Sequence, residues 1–548
     1  MAEHPPVHRV TKAREIGSGA LTVLAFVLVW AALLTPHMIE NMSWLAFARI
    51  PGELLVLIVL ALLLPWRAAS ATAVVAGVVL GVLVLLTVLD LGFHEVLDRR
   101  FDPVNDWAYL GPAYGVLGDS IGRPGAIAVT IATAGIVLAV LVAMPLCLLR
   151  LSRLAVHHRR GAILAVTVLG TVWIVGAASG LQLAPRTKVA STKAVQVTQG
   201  EVTLVRAGIK DRETFSRTLA NDPYENVPAH RLLTGLRGKD VLFVFVESYG
   251  RVAVQDSSFS DRVSTVLDAG THRLRAAGFS SRSAFLTSPT FGAASWLAHS
   301  TLQSGLWVNS QQRYNQLVTG ERLTLTDAFG RAGWRTVSDV PSNTHHWREG
   351  STFYHFDKLY DANNVGYRGP KFSYASMPDQ YTLSALQRVE LEKSGRTPVM
   401  AEIDLVSSHH PWTPLPHLVD WKKIGDGSVF DAMPDEGDSP EAVFRDPDRV
   451  RAAYGQSIEY SLSSVISFVQ TYGKPNLVMF VLGDHQPHSY VTGYGKGHDV
   501  PITVIAHDPG VLKKISGWGW QAGLRPRPDA PVWRMDSFRD RFLDAYGP

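Results

Sequence analysis

The sequence predicts two units of different character. An N-terminal bundle of five transmembrane helices is followed by an exported α/β domain with a central, mostly parallel sheet. Three observations predict this. Apolar residues crowd into the first third of the chain in runs long enough to cross a bilayer. From Leu236 onward, short β-rich runs alternate with helical patterns, as strands joined by crossover helices do. The length of 548 residues also exceeds what one core fills. A mean hydropathy of +0.09 hides the division, because it averages over both units.

The spans are expected at about 16–35, 46–65, 69–90, 126–149 and 161–182, within a transmembrane domain of residues 1–184. The second span carries Arg49 and Glu53 near its start. Glu53 and Asp90 are expected at membrane interfaces, since a charge inside the bilayer is costly. No small-residue cleavage site follows the first run and further spans do, so a signal peptide is not expected. Arg9, Lys12 and Arg14 precede span one, Arg67 follows span two, and Arg150, Arg153, Arg159 and Arg160 separate spans four and five. Basic residues stay inside, so the N-terminus is expected in the cytoplasm and five crossings place the rest outside. Residues 185–235 read as a polar linker with a short amphipathic stretch, and 236–548 as the exported domain.

Composition narrows the function classes. Hydrophobic residues at 47% and charged residues at 18% exclude a disordered chain. A single cysteine excludes an internal disulfide and a multi-cysteine zinc cluster. That residue, Cys147, lies in the fourth span, so the exported part has no thiol. A formal charge of +4 gives no reason to expect nucleic acid as a partner.

In the second unit the clearest strands are Val241–Val246, Val399–Val406, Leu477–Leu482 and Val500–Ala506. Val450, Tyr454, Ile458, Leu462, Val465 and Val469 recur at helical spacing and predict an amphipathic crossover helix. The acidic stretch 426–448 reads as a surface loop. Three strands run into polar residues that a core would not choose: Glu247-Ser248, Ser408-His409-His410-Pro411, and Gly483-Asp484-His485. Ligands bind at the carboxyl edge of open α/β sheets, so these residues are expected to converge there, with His498 just before the last strand. Carboxylate with imidazole suits a divalent cation such as zinc or manganese.

The segment from Ser288 to His299 opens a short helix with Ser295 near its start. Free N–H groups at a helix start favour anions, and a metal-bound hydroxyl there becomes a nucleophile. A plain N-cap serine is the competing reading. Thr290 is the competing nucleophile.

These motifs resemble the sulfatase and alkaline-phosphatase superfamily. They look closest to its membrane-anchored transferase branch, the lipoteichoic acid synthases and phosphoethanolamine transferases. The resemblance covers the layout of nearly the whole chain, and motif order over residues 236–510. It implies Glu247, Ser295, Asp484 and His485 as ligands of one divalent ion, with Mn2+ expected first and Zn2+, Mg2+ or Ca2+ open. It implies Ser295 and His409 as catalytic residues, and His409, His498, Trp347 and Arg348 as substrate contacts. The Trp-Arg spacing differs from that of the synthases. It also implies a membrane phospholipid as donor and a cell-envelope polymer or lipid as acceptor. One departure is Tyr460, which is followed by Ser461 where the family often has an aspartate. The other is Ser295, which stands where the branch mostly has threonine. The proline and arginine that direct formylglycine formation in sulfatases are missing after Ser295, so that conversion is not expected. Phosphoryl transfer through a serine is therefore the leading expectation, a phosphate- or sulfate-ester hydrolase the alternative, and a degenerate binding domain a third.

Overall fold

The computed structural model describes residues 7–36, 43–97, 99–184 and 187–547. The start of the expected linker, Pro185 and Arg186, lies outside the described residues. The chain divides into two compact units, Met1–Asp211 and Arg212–Pro548.

The first unit is helical. Four of its helices are long and apolar enough to cross a membrane: α1 (Val7–Leu34), α3 (Trp66–Leu97), α4 (Leu110–His157) and α5 (Arg159–Ser179). The expected second span holds a shorter apolar helix, the 12-residue α2 (Gly52–Leu63), about 18 Å long. Proline sets its length. Pro51 keeps the chain extended before α2, where Ile50–Pro51 pairs with Ala190–Ser191, and Pro65 follows the helix end. Gly122 has φ 76° and breaks α4 two residues before Pro124, so the apolar part of α4 is a separate helical segment. At Gly77, α3 packs directly on α4: a Cβ there would lie 2.3 Å from the Pro145 Cα, and only glycine permits that approach.

Of the two acidic residues expected at interfaces, Asp90 is buried and accepts a bond from the Phe101 N–H (3.1 Å), while Glu53 accepts from the Val195 N–H (3.3 Å). The stretch read as linker carries strand Ala190–Ser191 and helix α6 (Lys193–Leu219).

The second unit is built on a nine-stranded sheet. Its strands are β1 (Asp240–Val246), β2 (Ser280–Thr287), β3 (Arg335–Val340), β4 (Lys358–Asp361), β5 (Val399–Leu405), β6 (Leu477–Gly483), β7 (Asp499–Ala506), β8 (Gln521–Ala522) and β9 (Val532–Arg534). The order is β8-β2-β7-β6-β1-β5-β3-β4, with β9 also paired to β2. The sheet is mixed. β6, β1, β5, β3 and β4 form a parallel block, but β7 runs antiparallel between β6 and β2. Residues 484–498 hold only a four-residue helix, so the chain turns back at the carboxyl edge instead of crossing over.

β1 is buried on both faces, which explains its unbroken apolar run. Leu242, Val244 and Val246 meet helices α7 (Ser260–Ala276) and α9 (Pro447–Tyr472) in one core layer. Val241, Phe243 and Phe245 meet helix α8 (Ser295–Ser304) in the other. All six residues expected to line the crossover helix are buried on α9.

Candidate metal and nucleophile centre

Sequence-distant residues meet where β1 and β6 end side by side, Gly483 being in register with Val246. A Cβ at Gly483 would lie 1.9 Å from the Tyr249 carbonyl oxygen, so this approach requires glycine. Glu247 follows β1, and Asp484 and His485 follow β6. Their ligand-type atoms all lie within 4.8 Å of one another. The Ser295 Oγ joins them, 3.1 Å from Glu247 Oε2 and 3.2 Å from His485 Nε2.

Local backbone geometry aims these groups. Ser295 is the first residue of α8, and Ala294 is the cap residue, with φ 68°. The N-cap reading of Ser295 is thereby corrected: its hydroxyl points at Glu247 and His485. Ser248 is also left-handed, at φ 56°. Such non-glycine residues cost of order 1–3 kcal/mol each and persist where surroundings hold them. Ser248 is held on all sides. Its N–H donates to Asp484 Oδ1 (2.8 Å), its Oγ donates to Glu247 Oε1 (2.9 Å), and its carbonyl accepts from the Tyr454 hydroxyl (2.8 Å).

The electrostatics suit a cation. Asp484 and His485 are each 1% exposed. The His485 Nδ1–H donates to the Gln486 carbonyl (2.7 Å), which leaves the Nε2 lone pair facing the cluster. Burial, and then the Glu247 charge, push Asp484 above the ordinary carboxylate range. Among the described residues, Asp484 Oδ2 is buried and has no hydrogen-bond partner. Two carboxylates, one imidazole nitrogen and a hydroxyl, with one buried oxygen unsatisfied, form a donor set that fits a divalent ion of the zinc or manganese kind.

The other expected residues are placed as follows. Thr290 is buried nearby, its N–H donating to Ser288 Oγ (3.3 Å); among the described residues no hydrogen bond joins it to Glu247, Asp484 or His485. His409 stands on the turn after β5, which Ser408 ties down by donating to the Glu247 carbonyl (2.6 Å). Its ring stacks on Tyr374 at 3.6 Å and 13°. Burial holds His409 down at about 4, so it is a neutral imidazole at pH 7. Its Nδ1–H donates to the His410 carbonyl (2.6 Å), leaving Nε2 as an acceptor. His498 is exposed just before β7, its carbonyl accepting from the Ser288 N–H (2.9 Å) and its ring 5.4 Å from Phe291. Trp347 and Arg348 lie elsewhere on the same sheet edge, after β3. Trp347 packs on Tyr354 (5.3 Å) and lines a cavity of about 310 Å³ with His345, His346, Lys358 and Asp361. Among the described residues, no hydrogen bond, ion pair or ring contact joins Trp347 or Arg348 to the centre.

Sequence reasoning missed Tyr374, and also Asp379. The Asp379 carboxylate accepts from the Ser407 N–H (2.9 Å) and from Ser461 Oγ (2.5 Å), bracing the His409 turn. Asp379 opens a separate helix, Asp379–Leu386, so its bond to Ser461 on α9 is not visible in either segment alone.

Fold and site together define a chain with apolar N-terminal helices and an α/β domain whose sheet edge carries a serine inside a metal-type donor cluster. No family model matches the chain, and no curated protein matches it. Several solved structures do. Among them is the integral membrane lipooligosaccharide phosphoethanolamine transferase A of Neisseria meningitidis (12% identity, 96% of this chain and 95% of that one, TM-score 0.47). Another is the lipoteichoic acid synthase LtaP of Listeria monocytogenes (14% identity, 54% and 70%, TM-score 0.33). A third is the C-terminal periplasmic domain of EptC from Escherichia coli in complex with zinc (14% identity, 57% and 83%, TM-score 0.39). These are proteins of the kinds that the motifs resemble.

Proposed function

We propose that this chain is a metal-dependent transferase. It would move a phosphorylated head group, of phosphoglycerol or phosphoethanolamine type, from a membrane phospholipid to an envelope acceptor. The observation that carries this reading is the Ser295 hydroxyl lying between Glu247 and His485 at the first turn of α8.

Glu247, Asp484, His485 and the Ser295 oxygen would hold one divalent ion, Mn2+ in our reading, which lowers the hydroxyl pKa and draws charge off phosphoryl oxygens. The remaining steps belong to the chain. The Ser295 Oγ attacks phosphorus, the bond to the diacylglycerol oxygen breaks, and the proton given up by Ser295 is balanced by the one that the leaving oxygen takes, so diacylglycerol departs as the alcohol. Free N–H groups of the first turn of α8 face the phosphoryl oxygens. The acceptor alcohol then attacks the phosphoserine and frees Ser295. His409, neutral and with Nε2 free to accept, suits deprotonation of that alcohol better than protonation of the leaving diacylglycerol. Anchoring raises the effective concentration of a lipid donor.

The test is to incubate the full chain with labelled phospholipids and measure the mass added to the Ser295 peptide. An adduct identifies the head group. Its appearance on Thr290 refutes our nucleophile, and an aldehyde at Ser295 replaces transfer with ester hydrolysis.

An exported catalytic unit requires an odd number of crossings, so the proposal includes α2 as a crossing. With Cys147→Ser as background, a cysteine placed by Glu441→Cys is expected to react with an impermeant maleimide in intact cells. Protection until lysis would refute the sidedness.

A further inference from the structure

One turn beyond Ser295, α8 carries His299 into a second cluster of metal-type donors. The His299 ring stacks on Phe245 at 3.7 Å and 21°, which fixes the imidazole plane. Its Nδ1 then lies 2.9 Å from Glu402 Oε1 and 3.6 Å from Asp404 Oδ1, both on β5. One ligand-type atom from each of the three residues lies within 4.8 Å of the others. Gln303, one turn further along α8, donates to the second Glu402 oxygen.

An ion pair between His299 and Glu402 does not account for the rest of the cluster. Among the described residues, Asp404 Oδ1, the oxygen facing His299, is buried and has no hydrogen-bond partner. Buried carboxylates are paired or coordinate metals, because leaving one unpaired is expensive. One imidazole against the two carboxylates Glu402 and Asp404 leaves the cluster short of positive charge. Imidazole with carboxylates is the donor chemistry of zinc and manganese.

We propose that His299, Glu402 and Asp404 hold a second divalent cation, separate from the Glu247–Asp484–His485 centre. Loading it displaces the Nδ1 proton that His299 shares with Glu402, and that proton passes to solvent. The ion ties α8 to β5 just below the turn that presents Ser295. The proposal concerns binding alone and does not depend on the transfer reaction.

The test uses the full, untagged chain in detergent, stripped with chelator and titrated with zinc chloride. Calorimetry and elemental mass spectrometry read the stoichiometry. Two zinc ions per chain are expected. Asp484→Asn should leave one, Glu402→Gln with Asp404→Asn should leave one, and the combined variant none. A wild-type value of one that Asp484→Asn abolishes would overturn the proposal, as would two ions retained by the Glu402/Asp404 variant. Two ions in Asp484→Asn with one in the Glu402/Asp404 variant would support this site and count against the first centre alone. Should the double variant fail to fold, Asp404→Asn alone keeps the His299–Glu402 pair. It should weaken the second site at least about tenfold at an unchanged melting temperature, and an unchanged affinity would overturn the proposal.

Discussion

The two histidine–carboxylate clusters of the α/β unit share one helix and differ in what they can do. At the first turn of α8, a serine hydroxyl sits among the donors and the neighbouring backbone is left-handed at Ser248 and Ala294. One turn on, the donors include no hydroxyl, and the histidine is clamped by stacking on Phe245. Similar donor chemistry can therefore support reaction in one place and only binding in the other. The presence of a nucleophile, not of acids and imidazole, separates them.

The largest effect should fall on the first cluster. Ser295→Ala is expected to lower diacylglycerol release from phospholipid vesicles by about 10⁴-fold, as loss of a nucleophile does. Retained activity would move the nucleophile elsewhere and remove the contrast between the clusters. Next, Asp484→Asn should weaken zinc binding at that centre by more than about 100-fold, since an inner ligand matters more than the outer partners worth ten to a hundred. Metal analysis checks this.

A smaller, pH-dependent effect belongs to the second cluster in metal-free protein. Burial lowers the His299 pKa, but the Asp404 charge and the Glu402 hydrogen bond outweigh it and lift it to about 9. A folded-state value above the unfolded value of about 6.5 stabilises the protein fully below pH 6.5. That contribution is lost as pH rises through 9. The melting temperature should thus fall between pH 6.5 and 9, and less steeply in His299→Gln. Equal slopes would show that His299 is not held as a cation. The smallest effect is expected from Tyr374→Ala. Removing a stacked ring costs about 0.5–1.5 kcal/mol, so turnover should drop roughly two- to tenfold through a looser His409.

Much of this was readable in the chain. β1, β5, β6 and β7 match the expected runs to within a residue at each end, because strands buried on both faces must be apolar throughout. Glu247, Asp484, His485 and Ser295 were legible because polar residues directly after such strands, or opening a helix, have no packing purpose. β2 was harder: its first half, Ser-Ser-Arg-Ser, is partly exposed and lacks an apolar signature. The second cluster was invisible for a similar reason. Glu402 and Asp404 sit inside a run read only as strand, and His299 inside a helix. Their proximity depends on the packing of α8 against β5. The helix in the second span is shorter than its apolar run because Pro51 and Pro65 bound it, and hydropathy averages over both prolines.

By itself, the sequence determined which segments are apolar, where strands end, and that hydroxyl, carboxylate and imidazole stand at those ends. These follow from local patterning, which is a property of consecutive residues. The tertiary structure decided that β7 returns antiparallel, that Ser461 donates to Asp379 from a separate helix, and that Ser295 rather than Thr290 faces Glu247 and His485. Each of these depends on distances between residues tens to hundreds of positions apart, and such distances are set only when the sheet and its helices pack.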